Sequence, residues 1–348
     1  MRPAHLAVAA LGSLALAGCA ETIFHPPEEI RWAAVAAGDA HTCALDEEGL
    51  AWCWGSNSDG QLGVVRRHER QLSPVAVNGR LRFRSISVGA RHSCALDMDG
   101  RGWCWGANGS GQLGEGTTTP RDAPRPVLPG PLRFATISAG GEHNCGITTT
   151  GEVHCWGSNR SGQLGSPGST AVLPRLVPGV AGARAISAGA RHGCASDAAR
   201  ALCWGANDRL QVGPGPADLS RPPTRVPDVL PAELSAGRAR TCAIASGAVV
   251  CWGDDAPLHP IDLAAADPER IAAGGELSCA AAEGDVWCWA EDHPEPRRVS
   301  GLGGSVTSLD VGEAHACAIV EARVRCWGRG SEGQLGHGRR GDSELPVP

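Results

Sequence analysis

The 348-residue chain has no lysine and no tyrosine, and it carries only three phenylalanines and two methionines. Its 31 basic residues are therefore all arginine, outnumbered by 37 acids for a formal charge of −6. No dense basic stretch forms, so the electrostatic footprint of a nucleic-acid binder is missing. Long helices are excluded for a different reason. Gly and Pro occupy 48 and 25 positions, about a fifth of the chain, against about 12 % on average usage, and interruption this frequent leaves short strands and turns. The apolar stretch Leu6 to Ala17 stops short of the ~20 residues that a membrane-spanning helix takes. Familiar catalytic patterns are also lacking: there is no Gly-x-Ser-x-Gly, no His-Glu-x-x-His and no phosphate-binding glycine loop.

What is present opens with an export signal. Met1-Arg2-Pro3 supplies a short positive region, Leu6 to Ala17 an apolar one, and small residues follow. The string Leu16-Ala17-Gly18-Cys19 resembles the bacterial lipoprotein lipobox, which implies cleavage before Cys19 and lipidation of that cysteine. The alternative is an ordinary cleaved signal with an incidental cysteine. Residues 1–18 then read as the signal peptide and 19–29 as a lipidated tether. Ala20 to Glu29 would reach about 30 Å at ~3.3 Å per residue. By the same resemblance, Ala20 after the lipidated cysteine favours an exported protein held on the outer membrane of a Gram-negative bacterium.

Cysteine arithmetic agrees with that compartment. The chain has 15 cysteines, an odd number, and fourteen fall into close pairs that leave Cys19 over. The pairs are Cys43 with Cys53, Cys94 with Cys104, Cys145 with Cys155, Cys194 with Cys203, Cys242 with Cys251, Cys279 with Cys288 and Cys317 with Cys326, and each second cysteine precedes a tryptophan. Each first cysteine follows a Gly-containing turn, as in Ile86 to Leu96. One motif thus recurs seven times between Ile30 and the last residue, and a fixed internal period is the mark of a repeat architecture.

The segment between paired cysteines has the form of a hairpin. In the first three units the midpoint is a single residue such as Glu48, giving a three-residue loop Glu47-Glu48-Gly49 with Gly in the left-handed position. In the last four the midpoint lies between two residues, as at Ser246-Gly247, giving a two-residue loop. Loop length and cysteine spacing change together, so the cysteines face each other in all seven hairpins. Counting outward from the loop puts Cys194 and Cys203 at a non-hydrogen-bonded position, where Cα atoms lie ~4.5 Å apart, a separation a disulfide tolerates. Disulfides fit the export signal and this geometry. Reduced core cysteines and zinc are the alternatives; zinc would draw on His41, His92, His143, His192 and His315, two residues before the first cysteine, but units five and six carry Arg240 and Leu277 there.

The repeated string, as in Val88 to Gly114 or Ala139 to Gly165, resembles the regulator of chromosome condensation (RCC1-type) repeat family, in a bacterial cysteine-paired lipoprotein version. The resemblance covers residues 30–348 and implies an all-β fold, a seven-bladed β-propeller. Seven Pro- and Val-containing strands lie after the hairpins, the last at Glu344 to Val347. Strand counting predicts that this last strand completes the blade begun at Ile30, closing the ring by pairing N- and C-terminal strands and removing an open edge. The tryptophan after each cysteine is expected in the core, the Asn-x-x-Gly-Gln-Leu-Gly stretches to form turns, and the repeated histidines to fix loops within blades.

Function is expected where the repetition fails. Units five and six are shorter, lack the Gln-Leu-Gly turn, carry Arg238 and Arg240 in unit five, and bring Asp254, Asp255, Glu291, Asp292 and His293 to the loops after the hairpins. Shortened loops should leave one sector of the rim lower and more acidic, with Asp254, Asp255, Asp292 and His293 as candidate binding residues. The expected function is a surface-tethered, non-enzymatic scaffold, acting as a monomer, that binds a protein or glycan partner through loops on a propeller face. No cofactor, metal or nucleic acid is expected, and the membrane is reached by the lipid anchor alone. The resemblance also takes in secreted bacterial propellers that bind and inhibit β-lactamases, which implies protein binding as a class. A hydrolase or lyase using Asp254, Asp292 and His293 is the alternative, and guanine-nucleotide exchange, known in the family, is a further one; a fold alone does not choose among them.

Overall fold

Each cysteine hairpin is the middle of a four-stranded antiparallel sheet. In blade one the strands run Trp32–Ala37, His41–Asp46, Ala51–Ser56 and Arg70–Ala76, each paired with the next in chain order. Six further blades repeat this order, ending with Val306–Val311, His315–Val320, Arg323–Gly328 and Ser343–Val347. The structure, a computed structural model, describes residues 30–348 apart from 66–68, 129, 167, 230 and 265, and the described residues contain no helix. The signal peptide, Cys19 and the tether at 19–29 lie outside the described residues.

The register follows from the turns. Gly49 adopts φ 83° and its amide donates to the Asp46 carbonyl at 3.0 Å, the left-handed closure of a three-residue loop. Ser246 and Gly247 take φ 52° and 79°, the two positive angles of a tight primed turn. Both turns put the cysteines opposite each other.

All fourteen of these cysteines are oxidised in pairs, one bridge within each blade. Cys43 is bonded to Cys53, Cys94 to Cys104, and Cys145 to Cys155 across the three-residue loops. Cys194 is bonded to Cys203, Cys242 to Cys251, Cys279 to Cys288, and Cys317 to Cys326 across the two-residue loops. The Cα atoms of every pair stand 4.1 Å apart, somewhat closer than the expected spacing. With both sulfurs of each pair committed to one another, the zinc and reduced-core alternatives fall away.

The first strand of each blade lies innermost. Its closing turn places Gly38, Gly89, Gly140, Gly189, Gly237, Gly274 or Gly312 on the central axis, where an added Cβ would collide with the carbonyl oxygen of the next glycine around the ring. Gly312 meets Gly38 in the same way, so the seventh blade contacts the first as closely as any other pair. Backbone bonds such as Gly275 N to Gly312 O at 3.0 Å and Glu313 N to Gly38 O at 3.2 Å run around this ring.

Closure differs from the expectation. Ser343–Val347 pairs with Arg323–Gly328 of its own blade, and blade one is complete without it. The Pro- and Val-containing strands are the outer strands of the hairpins that precede them; the uncounted strand is the short, alanine-rich inner one directly upstream of each hairpin, such as Trp32–Ala37. The ring is therefore sealed by contacts between whole blades. Trp32 N donates to Ala322 O at 2.9 Å, Val35 N to Ser308 Oγ at 3.2 Å, and Ala37 N to Asp310 Oδ2 at 2.8 Å.

The core sits between blades. Trp54, Trp105, Trp156, Trp204 and Trp252 are all less than 2 % exposed, and Phe83 and Phe134 pack against Trp105 and Trp156 with ring centroids 6.2 and 5.7 Å apart. Aromatic burial of this kind dominates packing energy where each sheet must cover its neighbour.

Candidate functional site

At five of the seven seams the loop after one hairpin reaches over the next blade and is held there. The Gln61 carbonyl of blade one accepts the Trp105 indole N–H of blade two at 2.9 Å and the Ser93 hydroxyl at 2.9 Å. Because that hydroxyl proton is committed, Ser93 Oγ must accept from His41 Nε2, 3.0 Å away. The latch is thus a relay of histidine, hydroxyl and tryptophan, the last two converging on one glutamine carbonyl. Seam two–three builds the same relay on a carboxamide in place of the hydroxyl: Asn144 Oδ1 accepts from His92 Nε2 while Asn144 Nδ2 donates to the Gln112 carbonyl, which also takes the Trp156 indole N–H. Seam four–five uses His192, Thr241, Gln211 and Trp252, and seam seven–one uses His315, Thr42, Gln334 and Trp54. Seam three–four keeps the Gln163 to Trp204 bond at 2.9 Å but has Gly193 where the hydroxyl would be, which leaves His143 Nε2 without a partner.

The loop itself is locally specified. Asn57 Oδ1 accepts from Leu62 N at 3.1 Å, and Asn108, Asn159 and Asn207 do the same in later blades. Gly60 and Gly63 supply positive φ values of 82° and 67°. The histidines differ from the expectation that they fix loops within a blade. Their bonds cross to the next blade because each imidazole points sideways out of the strand next to the innermost one, toward the residue that follows the histidine position there. Burial pushes His41 and His143 down to about 3, and His92, His192 and His315 down to about 4. Their Nδ1 atoms have no hydrogen-bond partner, so a second ring proton would have nothing to donate to.

Seams five–six and six–seven have no such loop. Blade five turns back through Asp254 and Asp255, both at positive φ, and blade six crosses from Ala290 to Arg297. In place of the missing loops a cavity of about 810 Å3 opens, lined by residues that include Arg209, Arg240, Asp254, Leu277, Ala290 and Asp292. Arg240, 6 % exposed, takes the histidine position; it bonds Asp254 of its own blade and reaches Ser278 of blade six at 3.4 Å. Leu277 takes the position in blade six and faces a blade whose hydroxyl position is Ala316.

The expected site residues divide. Asp254 is mostly covered, paired to Arg240 with Arg209 3.9 Å away, so its charge is committed within the protein. Asp255 is paired with Arg209 at 2.7 Å but 65 % exposed. Asp292 and His293 are 80 % and 62 % exposed and lie 3.8 Å from each other, and Asp292 has no arginine partner among the described residues. Asp254 and Asp292 both line the cavity, and no group of three or more potential metal ligands forms among the described residues. Residues that sequence reasoning passed over include Arg209, which ties Glu291 at 3.2 Å to the neighbouring loops, and Glu276, paired with Arg329 at 3.0 Å. Arg209 stands in the blade-four loop, one repeat away from Asp254 and Asp255 and two from Glu291, and no local signal marked it.

The RCC1-like domain family matches residues 18–259, and the chain belongs to that family. It is 33 % identical over 183 residues to the probable E3 ubiquitin-protein ligase HERC6 of Homo sapiens, an alignment covering 49 % of this chain and 18 % of that protein. It is 35 % identical over 152 residues to the secretion-regulating guanine nucleotide exchange factor of Bos taurus, covering 41 % of this chain and 33 % of the relative. The chain therefore spans well under half the length of these curated relatives. Among solved structures, Prp20p from Saccharomyces cerevisiae, described with its binding to Gsp1p and histones, superposes with a TM-score of 0.76 at 19 % identity over 87 % of this chain and 86 % of that one. That likeness concerns the fold. RCC1-like propellers of this kind serve as protein-binding or exchange-factor scaffolds, and some relatives are ligases.

Proposed function

We propose that this chain is a non-enzymatic binding scaffold that recognises a protein partner through the notch over blades five to seven, and that lipidated Cys19 tethers it to the outer membrane. The observation that carries the reading is the loss of two adjacent latches on a face where the other five seams keep theirs. A closed ring of blades, each cross-linked within its own hairpin, presents that notch on a rigid support, which lowers the ordering cost of binding. Asp292 and Glu291, 80 % and 65 % exposed at the rim, offer charge to a basic partner.

A catalytic use of the same acids is disfavoured by Asp254, whose pairing with Arg240 leaves it unsuited to proton transfer. A protein is favoured over a glycan because Trp289, at 5 % exposure, offers no open aromatic platform in the notch. The tether has a geometric consequence. Ile30 precedes the inner strand of blade one and lies beside the hairpin tip Glu321-Ala322, at the end of the blades opposite the latches. A membrane anchor there would turn the notch outward.

Photo-crosslinking tests the reading. A photoreactive amino acid in place of Asp292 should capture one protein species in the native cell envelope, whereas the same group in place of Glu283, on the opposite hairpin tip, should not. Adducts from position 283 with none from 292 would assign binding to the other face and sink the proposal.

A further inference from the structure

At seams one–two and two–three the residues that follow the outer strand enter a slot beside the tryptophan of the next blade. Val77 N donates to the Ala51 carbonyl of the third strand at 2.9 Å, and Asn78 N donates to the carbonyl of the latch glycine Gly63 at 2.9 Å. Val127 and Leu128 repeat the two bonds on Gly102 and Gly114, at 2.8 and 2.9 Å. The valine fills the slot. An added Cβ on Gly63, Gly114 or Gly165 would lie 2.6 to 3.1 Å from a γ-methyl of Val77, Val127 or Val177.

Seam seven–one keeps the slot without that filling. Val347 pairs with Cys326 as Val75 does with Cys53, and no described residue stands two places further on, where blade one has Val77. The acceptors equivalent to Ala51 and Gly63 are Val324 and Gly336, and no amide among the described residues donates to either carbonyl. At Gly336 the atoms nearest to an added Cβ all belong to Trp54. Val324 is 9 % exposed, where Ala51, Val153, Ala201, Val249 and Val286 are 0 to 4 %. Trp32 is half-buried, whereas Phe83 and Phe134 at the same register are buried. A cavity of about 880 Å3 opens here, lined by Trp32, Trp54, Val324, Leu335 and Gly336 among others.

We infer that this slot binds the chain's own segment Phe24-His25, with the Phe24 side chain in the valine place, its amide on the Val324 carbonyl and the His25 amide on the Gly336 carbonyl. Residues 20–29 lie outside the described residues, but they join the fold at Ile30, which itself lines the cavity. Spacing agrees. Val77 and Val127 precede Phe83 and Phe134 by six and seven residues, and Phe24 precedes Trp32 by eight. Pro26, at six, has no amide proton, and His25, at seven, would have to be followed by that proline. Phe24 and His25 form the next pair, and they supply two donors behind an apolar side chain. Charge agrees as well. Residues 20–29 carry Glu21, Glu28 and Glu29 and no arginine, while the cavity wall holds Arg31, Arg323 and Arg325 against Glu321 alone. Burying the phenyl ring and satisfying two carbonyls offsets the ordering of the segment. Five residue steps, about 17 Å at most, then separate Cys19 from the slot, so a lipid on that cysteine would hold the ring at the membrane.

Amide hydrogen exchange on the full chain, read by mass spectrometry with fragmentation to single residues, tests this. In protein isolated from its native membrane the Phe24 and His25 amides should exchange about a hundredfold more slowly than in the free peptide Ala20 to Arg31, as two hydrogen bonds over a buried side chain imply. Phe24→Asp should abolish the protection and Phe24→Leu should retain most of it. A photoreactive amino acid in place of Phe24 should join to a peptide carrying Val324 or Gly336. In a mixture of nitrogen-15 and ordinary protein the joined peptides should share one isotope. Free-peptide exchange at both amides or a cross-link to another surface would overturn the inference. Pairs of mixed isotope would overturn it too, by placing a second copy's segment in the slot. The scaffold role does not depend on this slot and is read separately, at position 292.

Discussion

Thr42 Oγ1 donates to the Gln334 carbonyl at 2.8 Å and lies 2.8 Å from His315 Nε2, so one hydroxyl joins the last blade to the first. Its single proton goes to the carbonyl, and the imidazole must therefore hold its own proton on Nε2. The seam at which the chain has no covalent connection is thus closed by the same relay as the interior seams.

That relay predicts the cost of breaking it. Thr42→Val should lower stability by about 2 kcal/mol, because a buried imidazole N–H loses its acceptor and the carbonyl loses a donor. The double variant Thr42→Ala with His315→Leu installs the pairing that Ala316 and Leu277 form naturally. It should cost less than the sum of its single changes, measured by denaturant unfolding as a double-mutant cycle. Strict additivity would mean that the two groups do not interact.

Acid should unfold the ring. The folded-state values of about 3 to 4 for His41, His92, His143, His192 and His315 lie below the ordinary 6.5. Groups depressed in the folded state bind more protons when unfolded, so their stabilisation is complete above pH 6.5 and lost as pH falls toward 4. Each contributes up to about 1.4 kcal/mol per pH unit in that window. Asp310 acts in the opposite sense: desolvation pushes its carboxyl up to about 6 from 3.8, against the bonds it accepts from Ala37 and Val311 amides, so its share of stability grows as pH falls through 6. Desolvation and the nearby charge of Glu313 push Asp39 up to about 6 as well, in the same sense as Asp310; five histidines outweigh these two aspartates, and the melting temperature should drop steeply between pH 6.5 and 4. A flat profile across that window would contradict the buried neutral imidazoles.

Arg240 holds the notch together from below. Arg240→Ala should cost about 3 kcal/mol by leaving the mostly covered Asp254 carboxylate without its main cation. Arg240→Ala combined with Asp254→Ala should recover much of that loss. Thermal melts of the two variants against the parent measure the difference, and equal losses would show that the pair contributes little to folding.

Intact mass addresses compartment and cross-links together. Protein taken from its native membrane and thiol-blocked without reduction should have lost residues 1–18, gained a diacylglyceryl group on Cys19, and carry fourteen fewer hydrogens than the thiol form, as seven disulfides require. Each bridge closes a loop of about ten residues and should stabilise by roughly 2 to 3 kcal/mol, less than additively, since the bridges constrain one unfolded chain. A retained leader with fourteen blocked thiols would place the protein in a reducing compartment.

The sequence by itself determined the period, the hairpins and the facing cysteines. Those features are settled within about ten residues, where loop length and the period-two alternation of a strand leave one register; Glu47-Glu48-Gly49 and Ser246-Gly247 suffice to derive it, and Cys53 and Cys251 fall opposite Cys43 and Cys242 as a result. The loss of two Gln-Leu-Gly turns was equally plain, and it marked the sector that became the notch. The tertiary structure alone decided how blades meet. His41 lies 52 residues from Ser93, and Thr42 lies 273 from His315, separations at which no local propensity acts. Counting strands misplaced the ring closure because the alanine-rich inner strand Trp32–Ala37 carries little alternation of its own. It becomes a strand by packing among the other six around a glycine-lined axis.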